Sequence, residues 1–126
     1  MQAVIAICLG ASAGALARWQ LGLWLNQPQI ALGTLAANWI GGYLIGAGIA
    51  IFEVWPALNP TWRLALITGF LGALTTFSTF SAEVVQMLLQ QRYTQALITS
   101  SLHLVGSLAL TVAGMRSVQW VLAHWH

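Results

Sequence analysis

Charge is nearly absent from this sequence. Only 5% of its 126 residues are charged, and it contains no Lys and no Asp. A soluble domain has about 25% charged residues, so water is not the main solvent of this chain. A nucleic-acid-binding protein needs clustered basic residues, and the arginines here are scattered, which excludes nucleic acid as a partner. The charged residues are Arg18, Arg63, Arg92, Arg116, Glu53 and Glu83.

Cysteine and catalytic groupings are equally scarce. Cys8 is the only cysteine, which excludes an internal disulfide and a cysteine-based metal cluster. The sequence has no nucleophile–base pair, no carboxylate pair and no phosphate-binding loop, so we predict that the protein is not an enzyme. His124 and His126 form a short tail to which we assign no function.

Hydrophobic residues, in contrast, make up 59% of the chain. Four stretches reach the roughly 20 apolar residues that a helix needs to cross a bilayer, at about 3–25, 30–52, 61–90 and 95–122. We interpret the first as a retained span, since it lacks the basic region of a signal peptide. The sequence therefore predicts an all-α membrane protein, with residues 1–126 forming a single domain of four transmembrane helices.

The arginines favour neither orientation of these helices in the membrane. With a cytoplasmic N-terminus, Arg63 and Arg116 lie on the cytoplasmic side and Arg18 and Arg92 on the other. The positive-inside rule then has no excess to act on. The chain could insert both ways, and the two orientations could pair as an antiparallel dimer. The alternative is an ordinary membrane protein that has few charges.

The third stretch is too long and too polar for a simple span. As one helix, residues 61–90 would measure about 45 Å, against a hydrocarbon core of about 30 Å. Its centre, LGALTTFSTFSAE (71–83), has five hydroxyls within seven residues. We predict that this helix is broken in mid-membrane, where unwound carbonyls would suit a small cation. The alternative is a continuous helix whose hydroxyls bond to their own backbone.

Polar residues also follow one face of the neighbouring helices. Thr34 and Asn38 are four residues apart, and His103, Ser107 and Thr111 repeat the same spacing. Each set therefore shares a helix face. Polar side chains in membrane helices usually face the bundle interior. Hydroxyls and amides suit the passage of a small anion, although contacts between helices would explain each residue taken singly.

One aromatic pair and two glycine pairs complete the pattern. Phe77 and Phe80 are three residues apart and share a face, where their electropositive ring edges could meet a dehydrated anion. Ordinary packing is the alternative. Glycines four residues apart, at Gly10 with Gly14 and at 42 with 46, favour close helix packing. Twelve glycines in all favour a tight bundle and an oligomer.

Four segments closely resemble the fluoride channel family (Fluc, also called CrcB). They are GASAGALARW, GTLAANWIGG, TGFLGALTTFSTFSAE and HLVGSLALTVAG, and the resemblance covers nearly the whole chain. It implies a bacterial inner-membrane protein that forms an antiparallel, dual-topology homodimer with two pores. It further implies passive export of toxic fluoride and a central structural sodium ion.

The resemblance also implies roles for individual residues. Gly72 and Thr75 would hold sodium through their backbone carbonyls, and Arg18 matches the arginine of the first helix. Two positions depart from the family: Ala73 replaces a common second glycine, and His103 replaces a tyrosine of some members. The fluoride pathway would comprise Thr34, Asn38, Phe77, Phe80, Glu83, His103, Ser107 and Thr111.

Two other classes of protein remain as alternatives. A small multidrug resistance-like exporter also has four helices, but it needs a membrane-embedded carboxylate in its first helix, and this first helix has none. A purely structural accessory subunit would not need three polar stripes. Assays of fluoride efflux and of cationic-drug transport would separate these classes.

Overall fold

The computed structural model describes residues 1–125, so His126, the last residue of the tail to which we assign no function, lies outside the described residues. Within them, four helical segments are long and apolar enough to cross a membrane, which confirms the predicted all-helical, four-span class. Their ends lie within two residues of the predicted ones. The segments are Gln2–Leu25, Leu32–Val54, Pro60–Leu89 and Tyr93–His124.

Three of the four spans are continuous α-helices, and the third is assembled from shorter pieces. The continuous helices are α1 (Gln2–Leu25), α2 (Leu32–Val54) and α6 (Tyr93–His124). The third span contains α3 (Pro60–Arg63), a π-helical segment (Leu64–Leu71), α4 (Gly72–Leu74) and α5 (Phe77–Leu89).

Two residues with extended backbone separate α4 from α5. Thr75 has φ and ψ of −84° and 151°, and Thr76 has −152° and 118°. The next helix then begins with a hydroxyl cap, because the side chain of Thr76 accepts a hydrogen bond from the backbone N–H of Thr79 at 3.2 Å. Such a cap replaces a partner that the first turn of a helix lacks. The hydroxyl-rich sequence thus supplies its own helix start.

Glycines allow α1 to lie directly against the first half of the third span. A Cβ at Gly10 would overlap the carbonyl oxygen of Ala65, and one at Gly14 would overlap that of Phe70. On the facing side, a Cβ at Gly69 would lie 2.7 Å from the carbonyl oxygen of Ile7. The first glycine pair therefore serves close backbone contact.

The same device joins α2 to α6. A Cβ at Gly46 would overlap the carbonyl oxygen of Thr111, and one at Gly114 would overlap that of Tyr43. The two helices consequently approach each other backbone to backbone. The spans thus pack as two close pairs, α1 with the third span and α2 with α6, and residues of the first half of the third span meet α2 in the small core around Ala37, Leu71 and Leu74.

The outer surface is apolar on all sides. Large hydrophobic side chains such as Leu9, Trp24 and Leu97 are about 70% exposed, at 69%, 71% and 69% respectively. Water would oppose this exposure, whereas lipid tails accept it. The structure therefore has the surface of a multi-pass membrane protein.

Candidate functional site

A cavity of about 400 Å³, which we call the central cavity, lies between α2, the third span and α6. It brings together most of the residues that the sequence singled out. Thr34, Glu83 and Arg18 do not line it. The predicted residues that line it are Asn38, Gly72, Thr75, Phe77, Phe80, His103, Ser107 and Thr111.

Asn38 pairs with the extended backbone of the third span. Its Oδ1 accepts a hydrogen bond from the N–H of Thr76 at 2.8 Å, and its Nδ2 donates to the carbonyl oxygen of the same residue at 3.1 Å. Buried backbone groups without partners are costly. The side-chain amide of α2 therefore replaces both partners that Thr76 loses by leaving the helix.

His103 completes the surroundings of this amide. Its Nδ1 lies 3.0 Å from Asn38 Nδ2. Its ring stacks on Phe80 with a centroid distance of 4.4 Å and an interplanar angle of 27°. Only 5% of the residue is exposed. The Asn38 amide thus uses one N–H for the extended backbone and offers the other to His103.

The two phenylalanines meet edge to face. The ring centroids of Phe77 and Phe80 are 5.6 Å apart, and the rings are inclined by 73°. In this arrangement the positive edge of one ring meets the negative face of the other. Phe77 is 78% exposed in the single chain, whereas Phe80 is half-buried. The pair therefore reaches from the cavity lining to the outer surface.

The two hydroxyls of the α6 stripe are not equivalent. Thr111 Oγ1 donates to the carbonyl oxygen of Ser107 at 2.9 Å, so its proton is used by its own helix. Ser107 Oγ makes no hydrogen bond with residues 1–125 and remains free to donate into the cavity that it lines. In the third span, Thr75 likewise uses its hydroxyl proton locally, because its Oγ1 donates to Leu71 O at 2.9 Å.

Thr34 and Glu83 form a separate pair. Thr34 Oγ1 donates to Glu83 Oε1 at 2.6 Å, which joins α2 to α5. Glu83 faces a second cavity of about 350 Å³, the side cavity, which Gln95, Thr99 and His103 also line. His103 is the predicted site residue that lines both cavities, so it lies between them.

Gln95 and Thr99 are polar residues of the side cavity that the sequence analysis missed. They precede His103 at intervals of four residues, so they continue the polar stripe of α6 toward its start. That spacing was the available signal. Within residues 1–125, Gln95 Oε1 and Glu83 Oε2 are buried and have no hydrogen-bond partner, so both leave an acceptor unpaired.

The interruption of the third span also frees two backbone carbonyls. Thr76 N donates to Asn38 rather than to Gly72 O, and Thr79 N donates to the Thr76 hydroxyl rather than to Thr75 O. The carbonyl oxygens of Gly72 and Thr75 therefore lack their usual helical donors. The carbonyl of Ala73, between them, accepts from Arg18 Nε at 3.1 Å.

Comparison with known proteins gives strong matches along the chain. Residues 5–115 match the family described as CrcB-like protein, Camphor Resistance (CrcB). The fluoride-specific ion channel FluC of Albidiferax ferrireducens is 64% identical over 124 residues, covering 98% of this chain and 95% of the relative. The channel of the same name from Variovorax paradoxus is 62% identical over 117 residues, covering 92% and 94%. That from Pseudomonas syringae pv. maculicola is 51% identical over 123 residues, covering 96% and 97%.

Proposed function

The chain belongs to the CrcB-like family, and we propose that it is a fluoride-specific ion channel that exports cytoplasmic fluoride passively. It is a multi-pass membrane protein. Its relatives are ion channels by name and not enzymes. The bacterial inner membrane is the location that fits this role.

The central cavity is the observation that carries the proposal. Its lining, within the described chain, combines amide, imidazole and hydroxyl groups with two phenylalanine rings and contains no charged residue. Fluoride is small and strongly hydrated, so a pathway must replace its water with fixed donors. Neutral donors and ring edges attract an anion without holding it as a full positive charge would, and a channel must release what it binds.

Passive export needs no coupling to an energy source. Hydrogen fluoride crosses membranes as a neutral acid and dissociates in the near-neutral cytoplasm. A membrane potential that is negative inside then drives the trapped anion outward by about 2.3 kcal/mol per 100 mV. A selective pore is therefore sufficient for resistance to fluoride.

We also propose an antiparallel homodimer with two pores. The equal division of the arginines permits both orientations. Phe77 lies on the outer surface at the edge of the central cavity, where a second copy could cover it.

The dimer can be tested by adding two or three Lys at one chain end. Each added Lys should favour one orientation in the membrane over the other by about 1 kcal/mol. Each fixed form alone should lose export and the oppositely biased pair should regain it, whereas export by one fixed form would contradict the dimer.

A structural sodium ion fits the same interruption. The carbonyls of Gly72 and Thr75 lack helical donors, and Gly72 is exposed on the single chain, where a twofold partner would bring the same pair of oxygens. Carbonyl oxygens of unwound membrane helices are suitable ligands for sodium. The ion would supply positive charge that holds two negative dipole ends together and so stabilises the dimer.

Fluoride efflux from liposomes tests the proposed function. Purified protein is reconstituted into vesicles loaded with potassium fluoride, and a fluoride electrode follows release after valinomycin is added. We expect fluoride release that depends on valinomycin, because potassium carried by valinomycin must balance the negative charge that leaves with each fluoride ion. We expect little release of chloride from chloride-loaded vesicles. Absence of fluoride release from a correctly folded protein would overturn the proposal, and transport of cationic drugs would indicate an exporter.

A further inference from the structure

The orientation of the Asn38 amide follows from the backbone that it meets. The N–H of Thr76 requires an acceptor, so Oδ1 must face it, and the carbonyl of Thr76 requires a donor, so Nδ2 must face that. Reversing the amide would place two donors together and two acceptors together. The two positions are therefore fixed by chemistry that does not depend on His103.

This orientation determines where the proton of His103 lies. Asn38 Nδ2 carries only donors, and it meets His103 Nδ1 at 3.0 Å, so Nδ1 must be a bare acceptor. In a neutral imidazole the proton is then on Nε2. Protonation of both nitrogens would set an N–H against the amide N–H and would require the loss of both bonds to Thr76.

We infer that the fold locks His103 as the Nε2–H tautomer and that this N–H binds fluoride at the junction of the central and side cavities. The inference rests on the proposed function, whose site it deepens by naming the atom that donates to the ion. His103 lines both cavities, and its Nε2 makes no hydrogen bond with residues 1–125. The ring is held by Phe80 on one face and by Asn38 at its other nitrogen.

The charges around the ring are consistent with a neutral donor. Glu83, from α5, is the titratable group that lines the side cavity with His103, and its Oε1 is already bonded to Thr34. The described residues lining either cavity include no Arg, and the other facing groups from α2 and the third span are uncharged. A fixed neutral N–H therefore attracts the ion at this point and also lets it leave.

Two substitutions separate the nitrogens of the ring. His103→Gln places an amide donor near the position of Nε2, whereas the shorter side chain of His103→Asn can supply the acceptor that faces Asn38 near Nδ1 but places no donor at the position of Nε2. In the liposome assay we expect His103→Gln to conduct within about tenfold of the natural protein and His103→Asn to lose about ten- to a hundredfold, the usual effect of one hydrogen bond to an ion. Conduction by His103→Asn alone, or normal conduction by both, would overturn the inference, because His103 would then only position Asn38.

Nitrogen NMR of the imidazole decides the case in which both variants lose flux. The chain has three histidines, so substituting His124 and His126 with Gln leaves His103 as the single labelled ring. We expect the signature of a bare Nδ1 and a protonated Nε2, and a shift of the Nε2 signal on adding fluoride but not chloride. The other tautomer, or no response to fluoride, would overturn the inference. The tautomer is read without fluoride, so a natural protein that conducts no fluoride would refute the proposed function separately.

Discussion

Replacing Asn38 with Asp tests the central pairing of the site with the smallest change of shape. The variant keeps an oxygen to accept from Thr76 N, which Asn38 Oδ1 does at 2.8 Å. It loses the two donors that meet Thr76 O at 3.1 Å and His103 Nδ1 at 3.0 Å, and it adds a negative charge beside the central cavity. Fluoride conduction should therefore fall steeply while the fold is retained.

The expected size follows from these two effects. Leaving a buried acceptor without its donor costs about 1–3 kcal/mol, which lowers the stability of the protein. A carboxylate about 4 Å from the passing anion repels it by about 4 kcal/mol at an effective dielectric constant of about 20. Since about 1.4 kcal/mol changes a rate tenfold, the charge alone should reduce fluoride flux about a thousandfold.

The measurement is fluoride efflux per folded protein, with thermal unfolding measured in parallel. Asn59→Asp is the matched control, because Asn59 Oδ1 only accepts a hydrogen bond from Thr61 N, at 3.0 Å, outside the cavity. A carboxylate serves equally well at such a helix start, so flux should be unchanged. A folded Asn38→Asp variant that conducts within twofold of the natural protein would refute the reasoning.

Three further tests, two of them paired comparisons, address separate parts of the structure. Phe80→Ile keeps bulk but removes the ring edge and the stack on the neighbouring imidazole, and efflux should fall at least tenfold; normal efflux would show that the ring only packs. Ser107→Ala should reduce efflux more than Thr111→Val, because the threonine proton already bonds to its own helix. Equal losses in the two variants would contradict this difference. Gly46→Ala should lower the free energy of unfolding by about 1–3 kcal/mol, because its Cβ would overlap a carbonyl of α6. Gly48→Ala is the control, since its Cβ would meet nothing closer than 3.7 Å, and thermal unfolding should separate the two.

The sequence alone determined the four spans and most members of the site. Length and hydropathy are local properties, because a bilayer of fixed thickness sets how many apolar residues a helix needs. The four-residue spacing of Asn38 with Thr34, and of Ser107 with His103, likewise follows from the helical repeat. The resemblance to fluoride channels named the same residues, and the central cavity collects most of them. The fluoride role of each residue stays a prediction until efflux is measured.

Only the tertiary structure decided which of these groups are paired and which are free. Thr34 bonds to Glu83 and Asn38 to Thr76 across 49 and 38 residues of sequence, and no local pattern encodes such distances. The π-helical segment Leu64–Leu71 was not predicted, because its apolar composition is that of any membrane α-helix. Rotation and register between helices are set by glycine contacts and by the need to pair every buried backbone group. These constraints act on all the helices together, so no single segment of sequence predicts their outcome. In the folded chain they place the extended backbone of Thr76 beside the amide of Asn38 and orient that amide toward His103.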